Sequence, residues 1–495
     1  MSNTSPNGLN RQLGLLGLAA TGICSMLGAS VYVVPFMIQR NVPGIGAHVL
    51  PAFLFAALPA LLAAMAYATL ASAMPRAGGS YIYASRSLSP YLGFVASFSQ
   101  WFGLSIAIGV ISYIIVPFLR DIAFAADAQA LGQWLDTGWV RVSLALGLLW
   151  VFVGVNMLGL KFYERTLIPL MVLMFVLGAI VIIAGFSHTH DDFIAGVMAR
   201  EGRQIQSLPP EPLSLSVFLA AAALLFSSFI GFDSIAQAGG EAKNPSRTLP
   251  LAIGIAILTV GGFYMLFTIA VYHAVPWNFI ADEAQIKDIT APGLLTYLLP
   301  AAWGTVILTG AAIALINDLP AMLLSVSRLI FAWAEDGIFP KSLAAIHPRR
   351  HTPYRAIVLS GLMATIGILG SHFAGDFFLG IDIMVTSMLV NFLLMCVSVG
   401  YLPVKNPTLA ARITVMRNRK VQLAVALFGS LLLSGFLAIH TWKDLNAPVA
   451  AWYFHSTPIW LIVMGIASLI FGYEYHKLKN SGADVHRIFG QLPPE

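Results

Sequence analysis

Apolar positions in this chain come in long unbroken runs, with neither the two-residue alternation of a strand nor the narrow stripe of a soluble helix. Twelve such runs occupy about 14–38, 47–73, 91–119, 141–158, 164–186, 213–237, 249–274, 293–327, 355–373, 377–402, 421–441 and 457–475. Each is long enough to cross a bilayer as a helix. The pattern therefore predicts an all-α integral membrane protein with both termini on one side. The eighth run is long enough to continue as a helix beyond the bilayer. The polar segment 187–212 ends in Leu-Pro-Pro-Glu-Pro and is too short to fold alone, and 275–292 is amphipathic enough for a short surface helix.

Two runs are interrupted. The first carries Thr-Gly-Ile-Cys-Ser-Met-Leu-Gly-Ala-Ser at 21–30, with Pro35 following. The sixth carries Ser227, Ser228, Gly231, Asp233 and Ser234, then the pair Gly239 and Gly240 where the chain is expected to bend. They lie five runs apart and so point in opposite directions. A continuous helix has no spare backbone groups at its middle. A broken one frees N–H groups where a half-helix starts and carbonyls where one ends, which suits an anion and a cation respectively. Small residues also serve close helix packing, but two matched interruptions point to a transport site between inverted repeats.

Composition agrees with the runs. Of 495 residues, 58% are hydrophobic and only 10% charged, where soluble domains carry about 25% charged residues. The net charge of +5 is no nucleic-acid signal, because the basic residues sit in short loops. Most Lys and Arg fall in the segments on the side of the termini, among them Arg76, Arg86, Lys243, Arg247, Arg349, Arg350, Arg412, Arg417, Arg419 and Lys420. The opposite loops carry acids: Asp191, Asp192, Glu201, Glu211, Asp282, Glu283 and Asp288. The positive-inside rule then puts both termini in the cytoplasm, and a plasma (inner) membrane location is expected. The two cysteines, Cys24 and Cys396, lie in apolar runs and imply no disulfide. The eleven histidines, His188 and His190 included, show no metal-ligand spacing. No H-E-x-x-H, G-x-S-x-G or P-loop occurs, so an enzyme is not expected.

Several segments resemble the amino acid–polyamine–organocation permeases. Gly-Ala-Ser-Val-Tyr-Val-Val-Pro-Phe (28–36) is similar to that family's glycine signature. Residues 229–250, with Glu-x-x-Asn-Pro-x-Arg at Glu241 to Arg247, are similar to its sixth-span stretch. Pro-Arg-Ala-Gly-Gly-Ser-Tyr-Ile-Tyr (75–83), and Ser327-Arg328 followed by Glu335-Asp336-Gly337 and Phe339-Pro340, are further matches. The resemblance implies a five-plus-five inverted repeat with two extra C-terminal helices, working by alternating access. Its divisions would be a cytoplasmic N-terminus at 1–13, repeats at 14–186 and 213–402, the extra pair at 421–475 and a cytoplasmic C-terminus at 476–495. It implies that backbone N–H groups near Leu27, Gly28, Ala29 and Ser30 hold a substrate carboxylate. Carbonyls at Ile23, Cys24, Ser25 and Met26, and from Ser227 to Ile230, would hold the ammonium, and Phe229 or Phe226 would close over the substrate. Ser105, Ile108 or Ser112 would lend a side chain from the third span. Ser30 departs from the family's glycine, no lysine lies within the fifth span between Thr166 and Phe186, and Asn317-Asp318 stands where small or hydroxyl residues are usual.

An acid in mid-membrane costs about 2.5–3.5 kcal/mol on insertion scales. Asp318, with Asn317, is therefore a candidate to bind a coupling cation, carry a proton or pair with a cationic amine. The alternative is a polar contact to Asn317 or the first span. Asp233 is a candidate proton carrier or a cap of the inner half-helix. Arg76, Glu241, Lys243, Arg247 and Arg328, with Glu335 and Asp336 as possible partners, read as a cytoplasmic gate or as ordinary loop charges. Cys24 reads most simply as a small core thiol. Asp382 and Asn391 are candidates to line the outer path. Trp277, Trp442, Trp452 and Tyr473 near span ends read as interface anchors.

The expected function is secondary transport of an amino acid by symport or antiport. A neutral substrate is favoured unless Asp318 faces the pocket, in which case a cationic amino acid or polyamine takes its place. A transporter-like sensor or complex subunit is the reading of another class. No cofactor is expected beyond sodium as a possible coupling ion, and the partners are a small-molecule substrate and the lipid bilayer.

Overall fold

The computed structural model describes residues 9–28, 30–209, 212–287, 289–374, 378–449 and 451–493. The outer acids Glu211 and Asp288 and the candidate Ala29 lie outside the described residues. Among the described residues, twelve helical spans are long and apolar enough to cross a membrane: Leu15–Asn41, Gly46–Ala73, Pro90–Ala125, Gly138–Leu158, Leu160–Ser187, Leu215–Gln237, Pro245–Ala274, Ala302–Glu335, Tyr354–Phe373, Leu379–Lys405, Arg419–Asn446 and Ser456–Asn480. They are numbered spans 1 to 12 here, and with an even count both termini share one face, the terminal face.

Local chemistry sets several span starts. Ser89 caps span 3, its hydroxyl accepting from the Leu92 N–H at 3.2 Å, with Pro90 as the first helical residue. Span 7 begins at Pro245 after Asn244, which takes the left-handed conformation. Span 8 starts later than the apolar pattern predicts, because Pro300 delimits its start, and it continues past its apolar run to Glu335 as expected, with no glycine or proline between Ser327 and Gly337. Residues 291–295 form a separate short helix.

The predicted surface helix is present at Trp277–Ile286. The 187–212 segment holds a helix that hydropathy does not reveal, His190–Glu201, opened by a reciprocal cap between Thr189 and Asp192. Although burial pushes the Glu283 carboxyl up, hydrogen bonds from Lys287 and Arg203 outweigh it and hold it below the usual range. Arg203 donates to Glu283 at 2.6 Å and fastens the segment to the surface helix.

Packing follows an exchange of the first five spans with the next five. Span 3 lies against spans 8, 9 and 10, and span 8 lies against spans 3, 4 and 5. Span 1 packs on span 7 as span 6 packs on span 2. Each neighbour maps onto its counterpart five spans on, which is the relation an inverted repeat requires. In the most apolar window of span 1, 82% of residues are buried, against 28% in spans 11 and 12. Span 1 is therefore central, and the last pair is peripheral with exposed Leu427, Leu431 and Leu469 facing outward.

Candidate functional site

Spans 1 and 6 are both broken, and their breaks touch. Span 1 consists of half-helices Leu15–Met26 and Ser30–Asn41. Span 6 runs as a helix over Leu215–Leu225, tightens into a 3₁₀ turn at Phe226–Phe229, and resumes at Ser234–Gln237. Gly231 adopts φ +133°, which side-chain-bearing residues rarely tolerate. Its bare face lies on the Ser25–Met26 peptide: a Cβ there would sit 2.8 Å from the Met26 nitrogen and collide with the Ser25 carbonyl. The hydroxyls of Ser25 and Ser234 are 2.9 Å apart across the same seam. The Ser25–Met26 peptide, within the segment expected to offer accepting carbonyls, thus lies directly against the span 6 break.

Asp318 of span 8 faces this seam. It is buried, and a Cβ on Gly28 would overlap its carboxylate. Its Oδ1 has no hydrogen-bond partner among the described residues. Neighbouring Asn317 donates to the Cys24 sulfur at 3.0 Å, and its Oδ1 is likewise unpartnered. Asp318 therefore does not spend its charge on Asn317. The Ser30 hydroxyl bonds that of Tyr264, which donates to the Met26 carbonyl at 3.1 Å. Phe229 lies beside Phe53, with ring centroids 5.2 Å apart, and close to Tyr264. Of the two aromatic candidates, Phe229 borders the site. Phe226 packs on Phe392 and Phe436 of spans 10 and 11, and the Ser227 hydroxyl bonds the Leu224 carbonyl of its own helix at 2.7 Å. Of the span 3 candidates, Ser112 bonds the Ile108 carbonyl at 2.8 Å and Ser105 is buried without a hydroxyl partner.

Asp233 stands at the start of the inner half-helix, yet its side chain makes no cap bond to it. It turns back instead: Oδ1 accepts from the Gly231 N–H at 3.1 Å, and Oδ2 accepts from the Gln100 amide of span 3. The capping expectation is corrected because the break's own free N–H is nearer. Gln100 belongs to a buried chain of polar groups. Its Oε1 accepts from Ser80 at 2.6 Å and from Gln237 at 3.2 Å. Ser80 also bonds Tyr67 at 2.7 Å, and Asn391 donates to Tyr67 at 2.7 Å. Asn391 therefore joins this network, and the Asp382 carbonyl meets His440 at 3.3 Å. Sequence reasoning missed Gln100, Gln237 and Tyr67, whose only signal was an amide or hydroxyl inside an apolar run, and gave no role to Ser80 within the matched segment 75–83.

The sequence profile of the amino acid permease family matches residues 13–471, nearly the whole chain. This chain belongs to the amino acid permease family. It is 28% identical over 377 residues to cationic amino acid transporter 4 of Mus musculus, covering 73% of this chain and 55% of that protein. It is 28% identical over 374 residues to the vacuolar cationic amino acid transporter 4 of Arabidopsis thaliana, covering 74% of this chain and 59% of that protein. It is 26% identical over 397 residues to the low-affinity putrescine importer PlaP of Escherichia coli (strain K12), covering 79% of each. The matches to the mouse and plant proteins thus span little more than half of those relatives' lengths. The relatives are permeases of the amino acid–polyamine–organocation superfamily, and none is an enzyme.

On the terminal face of the permease, the candidate gate residues separate into two groups. Arg328 forks onto Glu241 at 2.6 and 3.0 Å, with both side chains buried. Lys243 and Arg247 are exposed and do not join the Arg328–Glu241 pair among the described residues, and Arg76 donates to the Pro493 carbonyl at 3.0 Å. A second buried fork joins Arg86 to Asp336 at 2.5 and 3.0 Å, while Glu335 is exposed. Burial alone would pull the Arg86 guanidinium down, but the Asp336 carboxylate overrides it and Arg86 stays charged. The N-terminal segment completes this face: the Gln12 and Leu13 N–H groups donate to the Glu241 carbonyl, each at 2.9 Å.

Proposed function

We propose that this permease is a secondary active transporter of a cationic amino acid, working by alternating access between the two repeats. The observation that supports this most is Asp318, a buried carboxylate against the span 1 break with an unpartnered oxygen. A buried charge costs several kcal/mol unless it is paired, and an ammonium group of the substrate supplies the pair. This supports a cationic substrate over a neutral one. The start of the second half-helix at Ser30 favours an anion. Together the two features fit a substrate with one carboxylate and two cationic groups better than a diamine, which would leave the helix start unfilled. The names of the mouse, plant and bacterial relatives support cationic amino acids first and polyamines second.

In this reading, backbone N–H groups near Gly28 to Ser30 take the carboxylate, the Leu27 N–H being spent on the Ile23 carbonyl at 2.8 Å, and carbonyls from Ile23 to Met26 and Ser227 to Ile230 take the α-ammonium. Phe229 closes the side away from the termini. Arg328–Glu241 and Arg86–Asp336 close the terminal side, which the charge bias assigns to the cytoplasm. Asp233 or Asp318 carries the coupling, by a proton, by sodium or through exchange for a second substrate.

The test is uptake of radiolabelled arginine, putrescine and leucine into proteoliposomes under separate proton and sodium gradients, with internal arginine for exchange. Arginine uptake well above putrescine and leucine is expected. Leucine uptake without arginine uptake would restore the neutral reading. Ligand-dependent thermal stabilisation without uptake or exchange would favour a sensor.

A further inference from the structure

The connection from span 10 to span 11 is the most one-sided stretch of charge in the molecule. Lys405, Arg412, Arg417, Arg419 and Lys420 lie within sixteen residues, and no acid occurs between Asp382 and Asp444. The positive-inside bias accounts for the sign of such a loop but not for its shape. Residues 410–414, Arg417 and Gln422 line a surface cleft of their own. Its walls are built. Gln422 is buried and donates to the Met416 carbonyl at 3.0 Å. Arg419 donates to the Val399 carbonyl at 3.3 Å and the Gly400 carbonyl at 2.6 Å, and the Thr414 N–H donates to the Ser72 hydroxyl at 3.2 Å.

Arg419 is thus spent on structure, whereas Arg412 and Arg417 are exposed on the cleft and their guanidinium groups form no hydrogen bond or ion pair among the described residues. The flanks of the cleft are apolar and outward-facing. Tyr401 and Val404 end span 10 and Val421 and Leu423 begin span 11, and all four are exposed. Two free guanidinium forks at the level where exposed apolar side chains give way to polar ones match a phosphate that is itself attached to acyl chains.

We propose that this cleft binds the headgroup of an anionic phospholipid, with Arg412 and Arg417 holding the phosphate and the exposed ends of spans 10 and 11 lying along the acyl chains. The site is separate from the substrate site and does not depend on what the permease carries. A basic pocket between membrane helices is a form that such lipid recognition takes.

The test uses the full chain purified in detergent, titrated with phosphatidylglycerol, with phosphatidylcholine and with inorganic phosphate, following bound lipid by native mass spectrometry and thermal stability. Wild-type protein should retain phosphatidylglycerol in preference to phosphatidylcholine. The double variant Arg412→Gln/Arg417→Gln should bind phosphatidylglycerol about tenfold or more weakly, as two surface cations contribute. Arg349→Gln/Arg350→Gln, an exposed pair outside the cleft, should bind like wild type. Equal loss in that control would reduce the effect to general surface charge and overturn the site. Equal protection by inorganic phosphate would make it a free-anion site, and unchanged lipid binding in the Arg412/Arg417 variant would also overturn it. Both arginines are exposed, so stability in phosphatidylcholine should be unaltered. If it is not, Arg412→Lys/Arg417→Lys keeps the charge and removes the forks, and wild-type affinity in that variant would rule out the forked contact.

Discussion

At the scale of single residues, the site depends on what glycine leaves room for. Gly28 lies where any side chain would occupy the place of the Asp318 carboxylate, so Gly28→Ala has to displace the acid from the break. Overpacking a tight interior costs about 1–3 kcal/mol, and the shift also moves the charge proposed to receive the substrate. Gly28→Ala is therefore expected to lower arginine uptake at least tenfold while the protein still inserts and elutes as wild type. Asp318→Asn keeps the shape and removes the charge. It should abolish arginine accumulation while leaving thermal stability equal or higher, because a lone buried carboxylate is a cost to the fold. Arginine uptake at wild-type rate by Asp318→Asn would detach this residue from the substrate. Ser30 adds to the picture: the hydroxyl that departs from the family's glycine is bonded to Tyr264, so it braces the break.

Elements behave less locally, because each broken span is held by something other than its own helix. Gly231 carries both a positive φ and the contact with the Ser25–Met26 peptide, so Gly231→Ala should destabilise by more than the ~1 kcal/mol of a glycine-to-alanine mismatch and separate the two breaks. A drop in melting temperature together with loss of uptake is expected. The outer elements yield a pH prediction. The folded-state pKa of Glu283 lies below its ordinary value, so its bonds to Arg203 and Lys287 contribute fully above the usual carboxylate range and are lost as pH falls through the lowered pKa. Hydrogen exchange in His190–Glu201 and Trp277–Ile286 should therefore be slow at pH 7 and accelerate below about pH 4. Exchange independent of pH over that window, after correction for intrinsic rates, would contradict the tether. The twelve spans and both breaks were legible in the sequence, since run length and misplaced glycines are physical signatures of a bilayer and of freed backbone. The 190–201 helix was not, because a capping box in a polar loop lacks the hydropathy of a span. Gln100 was not either, because one amide in an apolar helix has no period, and only the fold aims it at Asp233. Phe226 and Phe229 could not be told apart in sequence, because the 3₁₀ turn that sets their directions appears only in the fold.

Across the whole molecule, the terminal face carries two buried forks, Arg328–Glu241 and Arg86–Asp336, and the described segments nearest both termini pack on them, at Gln12–Leu13 and Ile488–Gln491. Leu13 forms an isolated parallel bridge with Ala242, in the connection between spans 6 and 7. The C-terminal segment supplies Arg86 with the Ile488 and Gln491 carbonyls, each at 3.1 Å, and lays the Phe489 ring 5.5 Å from its guanidinium. In the proposed cycle, opening this face has to hydrate both pairs, and the fork at Arg86 is covered by the tail. Removing one partner of a buried pair costs about 3–5 kcal/mol, so Asp336→Asn should weaken the fold sharply. Deleting residues 484–495 differs in kind. It leaves the Arg86–Asp336 pair intact but opens it to water, which lowers the energy of the open face more than that of the closed one. The truncated chain should therefore insert normally, show faster hydrogen exchange in the helix Gly79–Ser87, and exchange arginine several-fold faster than the full chain if opening limits the cycle. Unchanged exchange in Gly79–Ser87 would mean that the two forks alone hold the face shut, and that the tail covers a gate already closed by charge.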